Sequence, residues 1–468
     1  MVKFGAMNRR SAAIFALVFL WFLLVLLACN LTTPPEPTLV PRATSTPPPT
    51  IGYSTLAPDQ YPQEATQLAP VPQAPNNTLL SLNSQIDVDR MFVTIDALVG
   101  MRTRRVNTAG IGPGLGIDAA ADYVLDQFNQ IHNSSYQGSF AVGTNDFPIN
   151  FDDTQSVGRN IIGVLQGSDV GGGVIVLGAH YDSISYNFTS SAAFAPGADD
   201  DASGIAALLE IARIMSQHRH RATIIFVAFS AEEIQRAGSK AFVSDYLQAQ
   251  NININAMLNM DIIGSNTGPD GSINDKEIRV FSAGNNNSRS RQLARALNLI
   301  SVRLSPQMSI VVQDAEDRQG RYSDHMSFSD AGYPAVRFIE ALEDFSRQHS
   351  DRDTIDDVQG GYLVAATKTI LSCMTALADG PPAPQNIQLR EAGGGMRTLV
   401  WEKVPGATSY IVALRRPDGL IFSDYFETTD FSSTWDGYVA AKYTSLAIAA
   451  VDENGLMGPL SSEFAITS

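Results

Sequence analysis

The chain has 468 residues, 44% hydrophobic and 17% charged, and its 48 acidic against 32 basic side chains leave a net charge of −16. That length suits two or three domains. Without a basic face the chain is no nucleic-acid binder, and the one basic knot, His218-Arg219-His220-Arg221, is too short to change that. Two cysteines exclude a disulfide-stapled scaffold, and the apolar content excludes general disorder.

Lys3, Arg9 and Arg10 precede an uncharged apolar run from Ala12 to Ala28, which predicts a secretory signal over residues 1–28. The string Leu26-Leu27-Ala28-Cys29 resembles the lipobox of bacterial lipoproteins, although Leu27 is bulkier than the residue usual there. That resemblance implies lipidation at Cys29 and an exported bacterial protein, at the cell surface or in the periplasm, anchored to the membrane. The alternative, an uncleaved anchor, has about 25 Å of helix to span a bilayer core of about 30 Å. With Cys29 lipidated, Cys373 is expected as a buried unpaired thiol. Residues 29–75 hold the lipidation site and a linker in which Pro34, Pro35, Pro37, Pro47, Pro48 and Pro49 alternate with Thr, Ser and Ala. Such a stretch is an extended spacer.

Residues 76–380 alternate helical and strand patterns. Val124, Leu125, Phe128 and Ile131 mark one face of a helix over 118–131, and Ile205–Met215 and Leu363–Leu377 repeat the helical period. Val174–Ala179, Thr223–Phe229, Ala256–Ile263 and Ala335–Ile339 are continuous apolar runs suited to strands buried on both faces. The expected fold class is α/β, a largely parallel central sheet flanked by helices, followed by an all-β sandwich. Ligands in such sheets collect beyond the carboxyl ends of the strands.

Those strand ends are polar. The first runs into His180-Tyr181-Asp182, the next into Ala231-Glu232-Glu233 and the third into Asp261, while Gly197-Ala198-Asp199-Asp200-Asp201 opens the helix between the first two. Singly, each has an ordinary explanation: a loop histidine, a helix cap, a solvated first turn. Together, the acids would repel one another unless a cation neutralised them, and mixed histidine and carboxylate donors suit zinc.

With Pro196–Gly204, Asn259-Met260-Asp261 and Ser323-Asp324-His325 added, these strings resemble the two-zinc exopeptidases of metallopeptidase family twenty-eight, over roughly residues 80 to 380. The resemblance implies two Zn²⁺ per catalytic domain. His180 and Asp261 would bind one ion, Asp200 would bridge, and Glu233 and His349 would hold the other. It makes Glu232 the general base and Asp182 the carboxylate that orients the His180 ring. His349 takes the last ligand position because it lies in the His-x-x-x-Asp-Thr motif, which leaves His325 as a supporting or pocket residue. His132, His218 and His220 are expected at the surface.

The implied activity is release of N-terminal residues from peptides. The alternatives are a non-catalytic binding protein on the same fold and a single-zinc transferase related to glutaminyl cyclases. Met308, Ile310, Tyr322, Met326 and Phe328 are equally candidates for an apolar substrate pocket and for core. Arg318 and Arg321 are present but match no arginine patch of the relatives that cleave acidic C-terminal residues.

Residues 381–468 switch to period two, with Leu399-Val400-Trp401, Tyr410–Leu414, and Leu446, Ile448 and Ala450 alternating. The stretch resembles a fibronectin type III domain with Trp401 as core tryptophan, although Tyr443 lies one residue off the usual tyrosine register. Its expected role is a spacer or stabiliser, with a surface free for other contacts.

Overall fold

Eight strands make the main sheet: β1 Phe140–Phe151, β2 Thr154–Leu165, β3 Val174–His180, β4 Thr223–Phe229, β5 Ala256–Met260, β6 Glu277–Ser282, β7 Ser309–Val312 and β8 Ala335–Glu340. The structure, a computed structural model, describes residues 77–151, 154–186, 193–304 and 308–467. The signal, Cys29 and the proline-rich linker lie outside the described residues. Strand order is β1-β2-β4-β3-β5-β8-β6-β7. The central four, β4, β3, β5 and β8, are parallel, as their continuous apolar runs predict. The sheet is mixed at its flanks, where β1 and β2 form an antiparallel hairpin, β2 pairs antiparallel with β4, and β6 runs antiparallel to β8.

Both faces of the sheet are covered because successive side chains point opposite ways. Ile175, Leu177, Ile224 and Phe226 pack into one core, while Val176, Ile225, Val227 and Phe229 pack into another. The helices used below are α1 Val88–Gly100, α2 Gly116–Ser134, α3 Gly204–Met215, α4 Arg289–Leu304 and α5 Gly360–Asp379. α1 starts where the Asp87 carboxylate accepts from the Asp89 and Arg90 N–H groups. α5 buries Cys373 completely, so this thiol is a core residue as expected.

Beyond α5, seven strands among the described residues form two antiparallel sheets. One is β13-β10-β9 (Ser432–Trp435, Met396–Val400, Gln388–Gly393). The other is β12-β11-β14-β15 (Asp424–Thr428, Ser409–Arg415, Ser445–Val451, Phe464–Ala465). Leu399, Trp401, Tyr410, Val412, Leu446 and Ile448 fill the space between them, and Tyr443 is buried there despite its offset register. The opposite face is not free. Ile411, Ala413, Ala447, Ala449 and Val451 join the same continuous core as α4 and α5, so β11 and β14 are buried along their whole length. Arg295 of α4 is fully buried, pairs with Glu463 and donates to the Leu420 carbonyl at 3.0 Å.

Candidate metal centre

The carboxyl ends of β3, β4 and β5 carry His180, the Glu232–Glu233 turn and Asp261 to one edge, and the loop before α3 adds Asp200. His349 arrives from the loop after β8. Its backbone is left-handed (φ 52°), its carbonyl accepts from the Tyr186 N–H at 3.0 Å, and the Tyr186 ring stands edge-on to its imidazole.

The five expected ligands fall into two groups that share one carboxylate. His180 Nε2 lies 3.2 Å from Asp200 Oδ1 and 3.7 Å from Asp261 Oδ1. His349 Nε2 lies 3.1 Å from Asp200 Oδ2 and 3.2 Å from Glu233 Oε2. In each group one donor atom from every residue falls within 4.8 Å of the others. His180 Nε2 and Glu233 Oε1 are buried with no hydrogen-bond partner among the described residues, and the buried Asp261 Oδ1 makes no hydrogen bond of good geometry, meeting only the Arg337 guanidinium at 3.0 Å. Unmet donor atoms of this kind, converging in a mixed histidine and carboxylate set, fit metal ions with Asp200 between them.

The surroundings fix these groups through backbone hydrogen bonds. Asp182 accepts from the Glu232 N–H at 3.0 Å and the Glu233 N–H at 3.2 Å. Its own carbonyl lies 3.2 Å from His180 Nδ1 and its carboxylate 3.6 Å away. One residue therefore aims both a ligand ring and the glutamate turn. Asp353, four residues past His349, accepts from the Asp199 and Asp200 N–H groups at 2.8 and 3.0 Å. Asp201 accepts from the His180, Gly204 and Ile262 N–H groups, tying β3, α3 and the end of β5 together.

Asp261 is held by Ser323, whose hydroxyl donates to Oδ2, and by the buried Arg337, 3.0 Å from Oδ1. Arg337 also pairs with Asp317 at 3.1 Å, and His325 Nδ1 stands 3.8 Å from that same carboxylate. His325, fully buried, donates to or accepts from nothing in the metal groups; its Nε2 meets the Glu316 carbonyl at 2.8 Å. It supports the network behind Asp261, as expected. Asp353 was legible in the His-x-x-x-Asp-Thr string, and Arg337 as the charged residue inside an otherwise apolar strand. Ser323 was legible only as part of the Ser-Asp-His string, and Asp201 only as the last of three acids.

Burial raises the Glu232 and Glu233 carboxyls well above the usual carboxylate range, helped by neighbouring acids and opposed by His180. Asp200 is equally buried, but His180 and His349 outweigh the burial and hold it well below that range. A cavity of about 620 Å³ opens over the centre, lined by Asp200, Glu232, Glu233, Asp261 and His349.

One open choice is decided and one expected placement is corrected. Tyr322 lines the cavity, but Met308 and Ile310 belong to the core on one face of the sheet and Phe328 to the core on the other, because the apolar faces of their short elements turn inward. Met326 is buried and does not line the cavity. His220 is not at the surface. It is 2% exposed, with Nε2 at 2.8 Å from the Met215 carbonyl and Nδ1 at 2.7 Å from Asp379, a partner that the local basic string does not reveal. His132 and His218 are exposed.

A family model described as Peptidase family M28 matches residues 160–374. A probable zinc metalloprotease of Pyrenophora tritici-repentis is 30% identical over 352 residues, 67% of this chain and 79% of that protein. Among solved structures, LapB from Legionella pneumophila aligns with a TM-score of 0.52 at 22% identity, covering 66% of this chain and 77% of LapB. The aminopeptidase from Aneurinibacillus sp. strain AM-1 aligns at 0.50 and 18% identity, over 64% of this chain and 96% of its own. At these identities the two structures share the fold.

Proposed function

The chain belongs to peptidase family M28, and from that premise we propose that it hydrolyses peptide bonds at a two-zinc centre, releasing N-terminal residues from peptides. The observation that carries this is the pair of ligand groups joined at Asp200, with Glu232 lining the same cavity. His180 and Asp261 would hold one ion, His349 and Glu233 the other, and Asp200 both. Zinc bound there supplies Lewis acidity and lowers the pKa of a water molecule towards neutrality.

Glu232 is the group placed to take the proton from the attacking water and return it to the leaving amine. Its burial among Asp261, Asp324 and Asp182 favours the protonated form needed in the second half of that cycle, and bound cations oppose that push. Asp182 keeps Glu232 in place through its backbone N–H rather than by touching the reacting atoms. Release from the N-terminal end is favoured because the acids beside the centre suit a free α-amino group, and because a structural neighbour is an aminopeptidase. Both ligand groups are complete, which disfavours a metal-free binding protein and a single-zinc cyclase alike.

The lipobox string at 26–29 supports an exported protein anchored by lipid at Cys29, with residues 30–75 as tether. Seven strands in two sheets around Trp401 support a fibronectin type III-like module at 381–468.

The test is metal content together with stepwise trimming of a peptide panel. Two metals per chain, chelator-sensitive activity and sequential N-terminal release are expected. Glu232→Gln should keep both metals and lose roughly 100- to 10,000-fold in kcat. One metal with cyclised products, no hydrolysis at all, or an active metal-replete Glu232→Gln protein would each overturn the proposal.

A further inference from the structure

The catalytic cavity sets five cationic side chains around the four carboxylates of the candidate centre, in a chain whose net charge is −16. Arg236, Lys240, Arg318, Arg321 and Arg337 all line it. Two of these are spoken for: Arg337 by Asp261 and Asp317, and Arg318 by Glu343 and Asp317. The others are not neutralised in the same way. Among the described residues neither Arg236 nor Lys240 makes an ion pair. Arg321 leans on the neutral Gln348, its Nη2 lies 3.4 Å from His349 Nε2, and among the described residues the one carboxylate it reaches is Asp200, at 3.9 Å. Asp200 is a carboxylate the metal centre itself uses.

Arg236 is the sharpest case. It stands three residues after Glu233, in a turn where Gln235 and Arg236 both hold left-handed backbone (φ 64° and 60°), and its N–H donates to the Glu232 carbonyl at 2.7 Å. Its guanidinium lies over the Tyr322 ring, 5.9 Å from the centroid, and its Nη1 is shut off from solvent with no hydrogen-bond partner. A guanidinium N–H that has lost water and gained no acceptor is costly, and the two ways to relieve it are a protein acceptor or a ligand. Among the described residues no protein acceptor meets it, and the atom belongs to a residue that lines the cavity. A stacked guanidinium offers a flat fork of donors, which matches a carboxylate in two parallel hydrogen bonds.

Resting on the peptidase reading, we propose that Arg236, with Arg321 and Lys240 as supporting charge, forms a subsite for a substrate carboxylate, so that the enzyme prefers peptides presenting an acidic group close to the bond it cleaves. That carboxylate has two sources, an acidic side chain or the C-terminus of a short peptide.

The experiment uses the metal-loaded full chain carrying Glu232→Gln, which holds peptides without turning them over. Three peptide pairs differing only by carboxylate against carboxamide are titrated by calorimetry: at the first side chain, at the second side chain, and at the C-terminus of a dipeptide. The carboxylate member of at least one pair should bind about tenfold tighter, about 1.4 kcal/mol, and the pair that responds identifies the source. Adding Arg236→Gln should bring the ratio within about twofold, and Arg236→Lys should retain part of it. No pair exceeding about twofold, or a ratio that survives Arg236→Gln, overturns the subsite. Failure of the unmutated, metal-loaded chain to hydrolyse any of the six peptides would instead overturn the peptidase reading, since the binding ratios do not depend on turnover.

Discussion

Replacing Asp182 with asparagine changes one atom's chemistry and almost no volume, so its effect isolates what the second carboxylate oxygen does. In the native site the two oxygens divide their work, Oδ1 accepting from the Glu232 N–H at 3.0 Å and Oδ2 from the Glu233 N–H at 3.2 Å. An asparagine can satisfy one of these and sets its NH₂ against the other donor. A part-buried N–H left without an acceptor costs about 1–3 kcal/mol. Groups that orient metal ligands are worth about 10- to 100-fold in affinity, or about 1.4–2.7 kcal/mol, so the two scales agree. Zinc affinity of Asp182→Asn, measured by competition with a chelating dye, should therefore weaken about 10- to 100-fold. Turnover at saturating zinc should fall as well, because the displaced turn carries Glu232. A variant whose zinc affinity and saturated kcat both stay within about twofold of the native values would refute the positioning role of Asp182.

Arg337→Leu leaves Asp261 and Asp317 buried without their shared cation, and urea unfolding of the metal-free protein should register a loss of about 3–5 kcal/mol. Ile411→Ala should cost about 2–5 kcal/mol, and unfolding should stay a single transition because the residue sits in the core common to the β-sandwich and the catalytic body; an early, separate melting of the sandwich would contradict that. At His220 burial works against the charge, but Asp379 at 2.7 Å outweighs it and lifts the pKa above the ordinary 6.5. The stabilisation is thus full below pH 6.5 and fades as pH rises through the raised native value. Urea midpoints followed from acid into alkaline pH should decline less for His220→Gln than for the native chain.

The centre of the fold was legible because its strands are buried on both faces and so are written as unbroken apolar runs, as in Val174–Ala179 and Thr223–Phe229. β1 was not: many of its side chains face solvent, and a period-two pattern shows only over its last five residues, Phe147, Ile149 and Phe151. The sandwich announced the face that packs on its own partner sheet through Leu446, Ile448 and Ala450. The small alternates Ala447 and Ala449 looked like solvent positions, yet they pack against the catalytic body. The five residues that converge in the two candidate ligand groups were legible through ordered motifs. Arg337 and Asp353 stand out in their own strings, but their partners do not, because the Asp261 carboxylate and the Asp199 and Asp200 N–H groups that they hold lie far away along the chain.

In the run Asp199-Asp200-Asp201 a cross-linking role and the proposed ligand role share one short segment. Asp199 spends an oxygen on the Gly264 N–H at 2.7 Å, and Asp201 spends both of its oxygens on the Gly204, Ile262 and His180 N–H groups. Of these bonds only the one from Gly204 reaches the start of α3; the others tie the segment to β3 and to the loop after β5. Asp200 alone turns both oxygens to imidazole nitrogens, and its own N–H is held by Asp353. Hydrogen-bond accounting therefore separates the scaffold acids from the proposed ligand acid where residue type and burial cannot, since all three are nearly fully buried. The same accounting assigns Asp182 to the scaffold. It leaves Glu233, with a buried unpartnered Oε1, and Asp261, whose Oδ1 meets only Arg337, to the proposed ligand role.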